Sequence, residues 1–565
     1  MHTSLSFVPV VIHCVLVRLN EHKAYIRYIH TVSTVGFDNR LDSMDRATQL
    51  RRAGHRRSKQ LRDRLEPVFR GLRSRVTVDT RSLAAVRIAL GVTLLIDLVH
   101  RYGSIELFYT DNGVYPLAAF EVTYSQFTGV SIHALSGALW FQQLLFVLTA
   151  VVAIAFILGY RTRLMGLLCF LLLFSLHARN PVVLNGGDRL FRVLFVVALV
   201  TPLGERWSVD ALRRGSARLS VASVGTAAVL IQPLVVLGAN AYLKHQGDHW
   251  YAGEALEIAL LNDVMTVYLG NVLVEYPLLV SALNYSWVVL LAGAVLFLFV
   301  PTGRLRALAA VIYIGAFAGM IFTISVGLFP LVLMASVLPY LTAPFWEFLA
   351  RRVPAGWRSR VPRADQLGPL SRPPVERRLL ASLRARGRPG LASYIVAYSQ
   401  SLVTVAGVLV FVWILVFAAA DVSERDVPAE IDSPHLDQQR WGLYAPDPSE
   451  AYSWYLIEAE LENETIVADI GGISQQFDRP PDASQEYDTF RHRKYMETVR
   501  SSSGDDTGDT IADTYGEWAC TELDSQFDAP VESVTVYRQY QSSPVNGELR
   551  DPRTLTIIEQ NCLAD

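Results

Sequence analysis

The sequence predicts an all-α polytopic membrane bundle of about nine transmembrane helices, followed by a small, mostly-β extracytoplasmic domain. Three observations support this. Of 565 residues, 51% are hydrophobic, and the mean hydropathy is +0.27, high for a soluble chain. Apolar runs approaching the roughly 17–25 residues of a spanning helix recur along the chain. The charge is also split. Residues 45–81 carry twelve Arg/Lys, whereas residues 421–565 carry thirty-one Asp/Glu against ten Arg/Lys. A basic head and an acidic tail on one chain suggest two compartments.

The apolar runs are Ser82–Val99, Trp140–Gly159, Leu164–His177, Leu190–Leu203, Val221–Leu243, Ser286–Val300, Leu305–Ile324, Leu328–Leu341 and Leu402–Ala420. Placing the basic segment 1–81 in the cytoplasm makes every later inside turn basic. These turns hold Arg161 and Arg163, then Arg206, Arg213, Arg214 and Arg218, then Arg304 and Arg306. The linker 342–401 is rich in Arg and Pro and reads as cytoplasmic, lying on anionic lipid. The expected organisation is therefore a helical domain over 82–341, the linker, a last span at 402–420 and an extracellular domain over 421–565. Met1–Ser43 reads as an extension ahead of a more natural start at Met44.

The tail contains β-branched or alternating runs, "YSWYLIEAEL", "ETIVADI", "VESVTVYRQY" and "RTLTIIEQN". "YDTFRHRKYMETVR" looks helical, and "SSSGDDTGDT" reads as a mobile surface loop. Cys520 and Cys562 both lie here; two free thiols and one disulfide are both open, the disulfide suiting an oxidising compartment. Acidity and the near absence of lysine (Lys23, Lys59, Lys244 and Lys494 against forty-seven arginines) suggest a halophile with a GC-rich genome.

Ionisable groups within spans are costly and usually face the bundle interior. Arg87 and Asp97 lie ten residues apart on the first run, on one face. Each either pairs with a neighbouring helix or faces a ligand. "SLHARNPVVLNGGDRLFR" (Ser175–Arg192) gathers Asn180, Asn185, Asp188 and Arg189 at an outside turn. There Asn185-Gly186-Gly187 is able to take positive φ and present backbone N–H groups to a ligand; the plainer reading is a well-capped helical hairpin. Lys244 ends the fifth run in "ANAYLKHQGDHW", against the positive-inside trend. It is either a snorkelling side chain or a general base, a role open to a lysine withdrawn from water. His245 and His249 have helical metal-ligand spacing, but Gly247 interrupts them and no third ligand is evident. No metal, nucleotide or nucleic-acid site is predicted.

Several strings together resemble the HTTM (horizontally transferred transmembrane) domain proteins, whose animal relative is vitamin K-dependent gamma-glutamyl carboxylase. These are "DTRSLAAVRIALGVTLLIDL" (Asp79–Leu98), "GYRTRL" (Gly159–Leu164), "RWSVDAL" (Arg206–Leu212), "NAYLKHQGDHWYAGEAL" (Asn240–Leu256), "SVGLFPL" (Ser325–Leu331) and "QRWGLYAPDP" (Gln439–Pro448). The resemblance covers roughly 78–341, with a weaker match in the tail. It implies that Lys244 matches the carboxylase's catalytic lysine, which deprotonates vitamin K hydroquinone. Asp248 and Trp250 follow it as in the family, with a one-residue difference in the spacing to Trp250. Two departures stand out. Gly187 and Phe317 occupy positions where the carboxylase has histidines, which puts glutamate carboxylation in doubt.

The leading expectation is a multi-pass enzyme of the cell membrane, carboxylase-like, lyase or quinol-epoxidising in class. Lys244 is its catalytic base at the outer leaflet. The substrate is a menaquinone- or vitamin K-like quinol, with a protein or peptide glutamate as second substrate. The expected pocket draws on Arg87, Asp97, Asn180, Asn185, Asp188, Arg189, Asp248 and Trp250, and the tail caps it near Trp441. The alternative is a non-enzymatic membrane scaffold or lipid-binding module that displays the acidic domain. A transporter fits less well, since no inverted repeat of broken helices is visible.

Overall fold

The computed structural model describes residues 66–67, 70–262, 265–352, 401–402, 404–413, 415–417, 419–420, 442–462, 464–468, 479, 487, 489–501, 506–542 and 548–563. The chain forms two compact units, Met1–Leu72 and Arg73–Asp565. In the first, Arg70 and Glu66 form an exposed i,i+4 ion pair. All that follows concerns the second.

A short strand β1 (Thr77–Asp79) leads into α1 (Thr80–Tyr102). The Asp79 side chain caps α1 by accepting from Arg81 N. Then come α2 (Leu139–Ile157), α3 (Thr162–Arg179) and α4 (Gly186–Leu199). Strand β2 (Ser220–Ala222) pairs antiparallel with β1 and feeds α5 (Val224–Lys244). Helices α6 (His249–Ala252), α7 (Ala255–Asn262), α8 (Pro277–Gly293) and α9 (Arg304–Thr323) follow. The last two of the bundle are α10 (Phe329–Val337) and α11 (Ala343–Arg352).

Among the described residues, six helices are long and apolar enough to cross a membrane: α1, α2, α3, α5, α8 with its continuation to Phe297, and α9. The bent pair Phe329–Tyr340 and Ala343–Arg352, turned by 105°, makes up to seven. This is fewer than the nine runs of the sequence. The run Leu190–Leu203 falls in α4, whose 14 residues rise only about 21 Å against a hydrocarbon core of about 30 Å. The run Leu402–Ala420 falls in a shorter apolar helix, Thr404–Phe417. The α10–α11 bend is pinned by α1: Ser82 Oγ donates to Leu341 O and accepts from Trp346 Nε1 (2.8 Å).

Long-range contacts sort the turns into two ends. At one end, Arg87 donates to the carbonyls of Leu203 and Arg206, Arg306 to Arg75 O, Thr342 to Gly303 O, and Asp210 accepts from Arg161 N and Thr162 N. All the basic turns meet there. At the other end, Asp97, Asp188 and Lys244 meet the tail, and Asn185 donates to Val326 O.

The tail is a four-stranded antiparallel sheet in the order β4-β3-β5-β6, with β3 (Ala451–Leu461), β4 (Glu464–Ala468), β5 (Val531–Ser542) and β6 (Arg553–Asn561). These are the four runs expected as strands. Two helices between β4 and β5 correct the mostly-β expectation to a sheet with a helical layer: α12 (Phe490–Ser501) and α13 (Asp506–Asp524). The expected loop "SSSGDDTGDT" is partly overturned, since Asp506–Thr510 opens α13; residues 502–505 lie outside the described residues. The α12 residues Tyr495, Met496 and Val499 and the α13 residues Ile511, Tyr515, Ala519 and Leu523 join the sheet's Tyr455, Ile457, Val534 and Val536 in the core that also holds the membrane helices. Cys520 on α13 is bonded to Cys562 at the end of β6, with a Cα–Cα separation of 5.5 Å, within the usual range.

Candidate functional site

Lys244 is the last residue of α5. That helix opens with a capping box between Ser223 and Thr226 and carries Pro233 in its interior. A cation at a helix C-terminus meets the negative end of the helix dipole. The side chain does not snorkel outward: Lys244 is buried at 4% exposure. Its Nζ donates to Leu443 O (2.8 Å) and Tyr444 O (2.7 Å) and lies 3.5 Å from the centre of the Trp250 ring. The tail string "LYAPD" therefore closes over the lysine; Trp441, named in the expected cap, lies outside the described residues.

Each part of this cradle is separately fixed. Trp250 Nε1 donates to Tyr444 O (3.1 Å), and Asn284 Nδ2 donates to Trp250 O (2.9 Å). The Asp447 carboxylate accepts from Asp248 N (2.9 Å) and His249 N (3.1 Å), anchoring the tail to the start of α6. Asp248 thus serves through its backbone, beside the cradle. Gly253 ends α6 at φ +86, a left-handed conformation suited to glycine.

Beneath the lysine lies a cavity of about 450 Å³, enclosed by α5, α7, α8, α9 and α10. Its walls are mostly aliphatic, with Trp250, Trp287 and Tyr444 as aromatic surfaces and Lys244 and Asn240 as polar groups. Large apolar pockets with a few convergent polar groups are the usual form of small-molecule sites. Gly315 and Gly319 of α9 also line it, and a Cβ added to either meets nothing within 4 Å.

The other residues expected in this pocket lie elsewhere. Arg87 is at the opposite end of α1, where it binds the carbonyls of the inner turns. Asn180 donates to Phe108 O (2.9 Å). Asn185 caps α4 in a capping box with Asp188, and its Nδ2 donates to Val326 O. Gly186 and Gly187 form the first turn of α4 rather than a positive-φ loop, and a Cβ on Gly187 would lie 2.7 Å from Phe329 N. This turn packs behind the cavity wall at Phe329, and Arg189 beyond it does not line the cavity. Phe317 is buried among Trp287 and Tyr313.

Asp97 and Asp188 instead form a buried ion network with two arginines that sequence reasoning missed. Arg101 donates to Asp97 (2.9 Å), to Asp188 (2.8 Å) and to the Tyr109 hydroxyl. Arg491 of α12 donates to Asp97 (2.7 Å) and Asp188 (2.9 Å) and to Val183 O (3.0 Å). Burial works against the Arg491 charge, but Asp188 and Asp97 outweigh it and hold its pKa above the ordinary guanidinium value. His177 Nε2 stands 3.5 Å from Asp188. Asp97, His177 and Asp188 have ligand atoms within 4.8 Å of one another, as in a metal site. A metal ion there would face two guanidinium groups that already neutralise the carboxylates, so the cluster reads as an ion network. The Asp97/Arg101 spacing of i,i+4 was a visible signal for half of it.

The family model of the HTTM domain matches residues 76–346. The chain is an HTTM-domain membrane protein. Its HTTM domain thus runs from β1 to the start of α11 and contains Lys244, the cavity lining other than Leu443 and Tyr444, and both carboxylates of the ion network. The acidic tail that covers them lies outside the matched residues. No curated protein and no solved structure matches the chain.

Proposed function

We propose that this HTTM protein is a carboxylase-like membrane enzyme that binds an isoprenoid quinol in the cavity below Lys244, with Lys244 as the base. One observation carries the reading: the lysine amine is buried at the tail-covered end of an apolar, aromatic-walled cavity. A neutral amine satisfies both carbonyl acceptors with its two hydrogens and keeps a lone pair for the quinol O–H proton. The ammonium so formed keeps those two hydrogen bonds and rests against the Trp250 ring. The quinol ring would stack on Trp250 or Trp287, with its isoprenoid chain among the aliphatic walls. Oxygen would be the co-reactant if the quinol is epoxidised.

Gly187 and Phe317 are packing positions, which favours quinol chemistry over carboxylation of a glutamate substrate. The basic end is assigned to the cytoplasm and the tail to the outside of the cell membrane, because all the basic turns gather at one end. Turnover of a reduced menaquinone by purified protein tests the role of Lys244. Oxygen-dependent epoxide formation should fall by at least about 100-fold in Lys244→Ala, the usual scale for removing a general base. Equal turnover in both proteins would sink the base, and absence of turnover in the wild type would favour the non-enzymatic lipid-binding scaffold.

A further inference from the structure

At the opposite end of α5 from Lys244, the basic turns enclose a second cavity of about 520 Å³. Its walls are the start of α3, the segment Leu199–Glu205, and Asp210, Arg214 and Arg218. Arg161, Arg163, Arg214 and Arg218 bring four positive charges, and Glu205 and Asp210 bring two negative ones, a surplus of two.

Both carboxylates are already engaged. Asp210 accepts from Arg161 N (3.0 Å), Thr162 N (2.7 Å) and the Thr162 hydroxyl (2.8 Å), so it is spent on the start of α3. Glu205 accepts from Arg218 (2.9 Å) and Arg214 (3.5 Å). The arginines are not used up in return. The Arg214 and Arg218 side chains remain 44% and 60% exposed. Arg163 is exposed, and its side chain makes no hydrogen bond or ion pair to any described residue. The cleft thus carries surplus guanidinium charge while its own acids are occupied, and guanidinium groups match phosphate oxygens in geometry as well as charge.

The second feature is apolar. Leu164 lines the cavity, and from it α3 carries an exposed stripe through Leu167 and Leu171, at i, i+3 and i+7 along one face. α3 is one of the membrane-crossing helices, so this stripe runs from the arginines toward the hydrocarbon. A free phosphate has no use for such a surface, but an acyl chain does.

We propose that this cavity binds an anionic phospholipid, with its phosphate held by Arg163, Arg214 and Arg218 and an acyl chain along Leu164, Leu167 and Leu171. Basic pockets between membrane helices are suited to lipid headgroups. The competing explanation, that these arginines act only as orientation signals, predicts no preference among lipids once the protein is folded.

The test uses the full chain purified in neutral detergent and titrated separately with phosphatidylglycerol, phosphatidylcholine and inorganic phosphate. Thermal unfolding and native mass spectrometry are the readouts. Phosphatidylglycerol alone should raise Tm and remain bound. Arg163→Gln/Arg218→Gln should keep its lipid-free Tm but bind phosphatidylglycerol about tenfold or more weakly, the scale of losing charge-assisted hydrogen bonds. If the double variant does not fold, Arg163→Gln alone carries the test, because that side chain has no structural partner to lose. An equal response to phosphatidylcholine, or an undiminished response in the variant, would overturn the site. An equal response to inorganic phosphate would overturn the lipid and leave a phosphate-anion cavity.

Discussion

Gly247 shows at the residue scale how closely the tail is fitted over Lys244. A Cβ there would lie 2.5 Å from Asp447 Oδ1 and from Pro446 O, whereas one on Gly238 of the same chain stretch meets nothing within 4 Å. Gly247→Ala should therefore loosen the tail from the cradle, seen as faster proteolysis near Leu443, while Gly238→Ala should not. Arg491 supports the same interface from the other side. Arg491→Met would leave Asp97 and Asp188 facing Arg101 alone, a buried uncompensated charge that costs about 3–5 kcal/mol. The expected lowering of Tm should be partly restored by adding Asp188→Asn, and no restoration would argue that packing rather than charge is lost. These two positions mark what was legible. Lys244 and Trp250 stood out because they lie six residues apart in one string. The Arg491 contacts join residues separated by more than 300 positions, and nothing local in "FRHRKY" tells which arginine turns inward.

Among the elements, the sheet and α12, which falls in the string read as helical, were readable, and α13 was not. β3, β4, β5 and β6 coincide with β-branched runs. α13, in contrast, is built from "DTGDTIADTYGEWACTELD", whose Gly, Thr and Asp favour turns when read locally. Tertiary contact decides the matter: Ile511, Tyr515, Ala519 and Leu523 recur every four residues and are fully buried. The Cys520–Cys562 bond then ties α13 to β6 across 42 residues. Replacing both cysteines by serine should cost about 2–5 kcal/mol. Calorimetry should place that loss in the tail's transition, and an unchanged thermogram would show that the bridge adds nothing to stability. The nine apolar runs exceed the six or seven candidate spans among the described residues for a related reason. Hydropathy registers burial whatever its source, and in α4 part of it comes from the tail, whose Arg491 reaches Val183 and Asp188 at the start of that helix.

For the whole molecule, the pairing of the arginine-rich turns with one end and of the ion network and Lys244 with the other matches the charge pattern of the sequence. The orientation proposed above is checked by impermeant thiol labelling of intact cells. Ser525→Cys in the tail should react, and Ser216→Cys among the basic turns should react only after the membrane is opened. Both positions are exposed, and the free Cys169 is buried. The functional reading depends on the cavity at the tail-covered end taking an isoprenoid quinol. The most direct measurement is therefore a titration of a short-chain menaquinone, reduced, into the purified full chain, followed by quenching of tryptophan fluorescence. Trp250 and Trp287 both line the cavity, and Gly319→Leu would fill it from α9 without meeting a neighbour at its Cβ. Saturable quenching in the wild type, lost in Gly319→Leu at an unchanged Tm, is the expected result. Quenching that does not saturate, or that is the same in both proteins, would contradict the site.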